Sequence, residues 1–84
     1  MTNPEDIKAY IAQHLDCEEL RVAGDGQHFE ALIVSTSFRG KSSVQRHQLV
    51  YRALGDRMRE EIHALSMKTL TPEEYRDLRE AKRG

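Results

Sequence analysis

Residues 28–35, His-Phe-Glu-Ala-Leu-Ile-Val-Ser, constrain the fold of this chain more than any other stretch. The run is dense in aromatic and β-branched residues, and it follows Gly-Asp-Gly-Gln at 24–27. Asp-Gly between two apolar runs is a strong hairpin signal, because glycine takes the positive φ that a tight turn demands. The run upstream, Glu-Leu-Arg-Val-Ala-Gly at 19–24, alternates and puts Leu20 and Val22 on one face. In the returning strand Phe29, Ala31 and Ile33 share one face, while Leu32 and Val34 share the other with His28 and Glu30. A two-stranded hairpin is marginal in water, so the flanking segments must cover it.

Those segments read as helices. Asn3 is a good N-cap, Pro4 fits the first helical position, and Glu5 and Asp6 suit the positive end of the helix dipole. Ile7, Tyr10, Ile11 and Leu15 then form one apolar face, and the helix fades near Asp16. Residues 36–43 carry no apolar period and read as a loop, with Ser42 or Ser43 available to cap the next helix. That helix is expected from about Val44 to Ile62, through Val50, Leu54, Met58 and Ile62, with a break or kink near Gly55. His63 to Thr69 alternates and reads as a third strand. Thr71, Pro72 and Glu74 open a last helix with a capping box, Tyr75 and Leu78 dock inward, and 79–84 fray. The order is α-β-β-α-β-α. It predicts one α+β domain over residues 1–84, a three-stranded sheet with helices packed on one face.

Eighty-four residues suffice for one small domain. No apolar run approaches the ~20 residues of a membrane span, and Met1 to Leu15 lacks the order of a signal peptide. A cytoplasmic protein is expected. Cys17 is the single cysteine, so an internal disulfide or an all-thiolate site within this chain is excluded. Charge is uneven. Residues 1–30 hold seven acids (Glu5, Asp6, Asp16, Glu18, Glu19, Asp25, Glu30) and two bases (Lys8, Arg21). Residues 39–59 hold six bases (Arg39, Lys41, Arg46, Arg52, Arg57, Arg59) and one acid (Asp56). That middle suits a phosphate backbone, an acidic protein, or plain solvent.

Catalytic chemistry finds little support. The serines have no nucleophile elbow around them, Cys17 has no neighbouring motif, and Glu60/Glu61 and Glu73/Glu74 read as helix-surface and capping residues. No phosphate-cradling glycine loop occurs, and a hairpin turn accounts for Gly24 and Gly26. The sequence argues against an enzyme. His14 and His47 fall on helices, with structural or surface roles as the default; His28 follows the turn, and His63 begins a strand. Imidazole suits iron, zinc and copper. Two histidines fall short of a closed zinc site. The second candidate is nucleic acid, held by Arg39, Lys41 and Arg46 around a glycine-containing loop and a helix N-terminus. The Gly-x-x-Gly of a KH module is missing.

Taken together, residues 24–35, Ser37 to Tyr51 with Phe38, Gly40, Arg46 and His47, and above all Ile62-His-Ala-Leu-Ser-Met-Lys-Thr-Leu-Thr-Pro-Glu-Glu-Tyr75 resemble the BolA family, more closely its IbaG-like branch. The resemblance runs from the first helix through Tyr75. It implies the αββαβα, type II KH-like fold. It also implies a partner, a monothiol glutaredoxin with a Cys-Gly-Phe-Ser site, and a [2Fe–2S] cluster shared with that partner and glutathione. The family's C-terminal histidine matches His63. Its second ligand, a His or Cys from the loop between the first two strands, matches His28. The 24–28 turn has no cysteine, and Asp25 is a weaker oxygen alternative. Alone, the chain is expected as a monomer or weak homodimer without a cofactor. Members are also described as transcriptional regulators bearing on stress, which makes DNA binding through Arg39, Lys41 and Arg46 the alternative.

Overall fold

The computed structural model describes residues 3–56 and 64–83. Its elements are α1 (Pro4–His14), β1 (Cys17–Gly24), β2 (His28–Ser35), a 3-10 turn (Thr36–Phe38), α2 (Ser43–Leu54), β3 (Ala64–Leu70) and α3 (Pro72–Arg83). The α+β class and the α-β-β-α-β-α order both hold.

The strands lie in the order β1-β2-β3. β1 and β2 form the antiparallel hairpin, with Leu20 across from Ile33 and Val22 across from Ala31. β2 and β3 are parallel, with His28 across from Ala64, Phe29 from Leu65 and Ile33 from Thr69. Parallel neighbours need a crossover, because the chain must return to the starting end of the sheet. α2 lies in that crossover and runs back along the strands.

Phe29, Ala31 and Ile33 pack with Ile7 and Ile11 of α1 and Val50 and Leu54 of α2, flanked by Leu20, Val22, Leu65 and Met67. Each large apolar side chain buried this way contributes about 1.5–3 kcal/mol. The other face of β2 carries His28, Glu30, Leu32 and Val34. α3 lies against that side, where Tyr75, Leu78 and Arg79 wall a groove with Arg21, Glu30, Leu32, Ser66 and Lys68. The expectation of helices on one face therefore holds for α1 and α2, and α3 departs from it. The physical reason is in β2 itself. Val34 is fully buried on the second face, so that face needs a cover of its own.

Local chemistry sets the helix ends. The Asn3 side chain accepts from the Asp6 N–H at 2.9 Å. Ser42 and Gln45 form a capping box on α2, through Ser42 N–H to Gln45 Oε1 at 2.9 Å and Gln45 N–H to Ser42 Oγ at 3.3 Å. Thr71 and Glu74 do the same for α3, at 2.8 and 3.1 Å. α2 stops at Leu54, where Gly55 takes φ +61° and donates to the Tyr51 carbonyl at 2.9 Å. Gly55 ends this helix instead of kinking it; Met58 and Ile62, expected further along it, lie outside the described residues. α3 continues through Arg83, past the point where fraying is expected. The loop after β2 is less featureless than its sequence suggests, because Phe38 is fully buried and anchors it.

Candidate functional site

The β1–β2 turn is built by backbone constraint. A Cβ on Gly24 would sit 2.5 Å from the His28 carbonyl oxygen and 2.5 Å from a ring carbon of Phe29. Gly26 has φ +98°. Between them Asp25 Oδ1 accepts from the N–H groups of Gln27 at 2.9 Å and His28 at 2.8 Å. These two donors, His28 first, hold the Asp25 carboxyl below its usual pKa. The turn closes where the Asp25 N–H donates to the His28 carbonyl at 3.2 Å.

That turn presents His28 at the sheet's hairpin end with its side chain exposed. The parallel register puts Ala64, the residue that follows His63 in the chain, across from His28. His63 itself lies outside the described residues. Asp25, the weaker oxygen candidate, spends one carboxylate oxygen on fixing the turn. Cys17 sits half-buried at the start of β1, its Sγ 3.6 Å from the Leu15 carbonyl. Burial first, then the Asp16 charge, pushes its thiol pKa up, which disfavours the thiolate a metal needs. Among the described residues no group of three or more His, Cys, Asp or Glu is placed to hold a metal ion. Of these donors His28 and Asp25 lie at the hairpin end, whereas Cys17 lies across from Ser35 at the opposite end of the β1–β2 pair. His14 is exposed, with Nδ1 3.1 Å from the Tyr10 carbonyl, and His47 is half-buried on α2.

The basic residues of the alternative site part company. Arg46 is internal, with its side chain only 13% exposed. Its guanidinium donates to the Lys41 carbonyl at 2.9 Å, the Thr69 carbonyl at 3.1 Å and Glu74 at 2.7 Å. It also lies 6.0 Å from the centroid of the Phe38 ring. Arg39 makes a two-pronged pair with Glu73, which lowers the Glu73 pKa. Lys41 is exposed and makes no ion pair among the described residues. Arg46, over the buried Phe38 ring, thus ties the loop, α2, β3 and α3 together. The acids that engage Arg39 and Arg46 were legible only as capping residues, because pairing across 28 to 34 residues leaves no local signal.

Similarities to known proteins bear on this architecture. The family model described as BolA-like protein matches residues 4–74. The acid stress protein IbaG of Escherichia coli strain K12 is 37% identical over 71 residues, covering 83% of this chain and 84% of IbaG. A protein of Haemophilus influenzae named DNA-binding transcriptional regulator BolA is 42% identical over 53 residues, 63% of this chain and 52% of that one. Among solved structures, a BolA protein homologue from Coxiella burnetii superimposes with a TM-score of 0.78 at 48% identity, covering 90% of this chain and 99% of that one. With the hairpin, the parallel third strand and the Phe38–Arg46 contact in place, the chain belongs to the BolA-like protein family and is similar, within it, to IbaG.

Proposed function

We propose that the chain is a non-enzymatic partner of a monothiol glutaredoxin, and that His63 and His28 contribute imidazole ligands to a [2Fe–2S] cluster shared with that partner and glutathione. The role is cluster assembly, trafficking or iron sensing. One observation carries the reading: the β2–β3 register sets Ala64, chain neighbour of His63, across from an exposed His28. Asp25, the oxygen candidate at this end, spends one carboxylate oxygen on fixing the turn, which supports the imidazole of His28 over it.

When present, such a cluster supplies an iron whose potential rises as imidazole replaces thiolate. The chain's own task is to hold neutral imidazole at the sheet end. Protonated imidazole cannot bind iron, so protons compete with the metal for these ligands. The test mixes the protein with a monothiol glutaredoxin, iron, sulfide and glutathione and records visible absorption and circular dichroism. His63→Ala is expected to change the spectrum of the heterocomplex. An unchanged spectrum removes His63 from the ligand set.

A DNA-binding regulator is the second reading, favoured by the name of the Haemophilus influenzae relative. Its cationic set is thinner than the sequence suggests, because Arg39 and Arg46 are paired with Glu73 and Glu74. It requires affinity that falls steeply with salt. Folded protein that fails to retard DNA at low salt rules it out.

A further inference from the structure

Val44 and Tyr51 are the exposed large hydrophobic residues of the described chain, at 66% and 42% exposure. They lie seven residues apart on α2, so two helical turns, about 10 Å, separate them on nearly the same line of the helix. His47 lies between them, half-buried, and Gln48 beside it is exposed. Val44 and Tyr51 take the i and i+7 places of the spacing by which a helix presents apolar anchors to another protein, with the polar His47 and Gln48 between them. Solvation alone does not call for it, since Val50, Ala53 and Leu54 already supply the helix's core face.

Charge and position say what covers it. α2 has no acidic residue from Ser43 to Leu54, and Arg52 stands exposed beside Tyr51. Lys41 is exposed just before the helix, and Asp56 is exposed just after it. Among the described residues Arg39 and Arg46 pair with acids of α3, while Lys41 and Arg52 are exposed and form no ion pair. The crossover geometry adds the second argument. α2 starts beside the end of β3, where Arg46 meets the Thr69 carbonyl, and runs back toward the end that carries His28 and Ala64. Tyr51 and Arg52 are therefore on the last turn of α2, at the same end of the molecule as His28.

We infer that the outer face of α2, with Tyr51 and Val44 as apolar anchors and Arg52 and Lys41 as steering charges, docks the partner protein independently of any cluster, on an acidic surface with an apolar recess. This inference rests on the glutaredoxin reading and specifies where that partner holds on. Two exposed apolar anchors favour protein over nucleic acid here, because phosphate gains nothing from Val44.

The experiment titrates cluster-free monothiol glutaredoxin into this protein by calorimetry at low and high salt. The variants are Tyr51→Glu with Arg52→Glu, the milder Val44→Ser with Tyr51→Ala, and His28→Ala with His63→Ala. All α2 positions substituted are exposed, and circular dichroism checks that each variant folds. Both α2 variants are expected to weaken binding at least tenfold, with salt weakening the wild type. The histidine variant is expected to keep wild-type affinity for the cluster-free partner while losing the shared-cluster spectrum. Unchanged affinity in both α2 variants overturns the inference and leaves the glutaredoxin reading intact. Binding that appears only with cluster present also overturns it. If no complex forms with or without cluster, the glutaredoxin reading itself fails. DNA retardation that the α2 variants abolish, with glutaredoxin binding untouched, reassigns this face to nucleic acid.

Discussion

At the scale of single residues, Gly24 and Asp25 decide how the hairpin turns. Gly24 has no room for a side chain, since a Cβ meets backbone and ring atoms at 2.5 Å. Gly24→Ala is expected to destabilise the fold by about 1–3 kcal/mol, the usual cost of overpacking. Urea denaturation should show a lower midpoint at unchanged slope. An unchanged midpoint would mean the turn relaxes freely. Asp25 is a charge-state prediction. Two backbone donors hold its folded pKa below the unfolded value, so the folded state takes up its proton less readily. Its contribution to stability is then complete above the unfolded value, about 3.9, and is lost as pH falls below that through the lower folded value. An NMR titration of the Asp25 carboxyl should give a midpoint under 3.9, and Asp25→Asn should flatten the acid limb of stability. A midpoint at or above 3.9 would show that the turn does not hold the carboxylate.

Single elements are secured by their ends and by one side chain that bridges several of them. Helix starts were readable because a cap and its partner lie within four residues of each other, as with Asn3, Ser42 and Thr71. Arg46 is different. It sits in the first turns of α2 yet contacts Lys41, Thr69 and Glu74. Its planar fork serves several acceptors at once, which an ammonium cannot do. Arg46→Lys is therefore expected to cost about 1–3 kcal/mol by leaving a half-buried carbonyl without its donor. Amide exchange should rise first at the start of α3. Full retention of stability would show that charge alone, not the fork, matters here. In sequence Arg46 looked like a phosphate ligand, because its type and its loop were visible and its acidic partner was not.

At the scale of the whole molecule, β2 is the axis. It is apolar on both faces, with Ile33 and Val34 both fully buried, so α1 and α2 cover one side and α3 approaches the other. Phe38 closes the core at the end of β2 and is fully buried. Phe38→Ala should cost about 3–5 kcal/mol. A chain of this size has a total near the lower end of the usual range, about 5–15 kcal/mol. Thermal melting followed by circular dichroism should show a much lower and broader transition, while a shift of only a few degrees would mean that Phe38 does not anchor the loop. The sequence by itself determined the element order, the hairpin, the caps and the pairing of apolar faces along each strand. All of these depend on residues within a few positions of one another. Only the tertiary structure decided that β3 runs parallel beside β2 with Ala64 across from His28, that α3 takes the second face, and that Arg39 and Arg46 turn toward Glu73 and Glu74. Those choices join residues about 30 or more positions apart, and they are settled by which faces must leave water together, a property of the packed whole that no local pattern encodes.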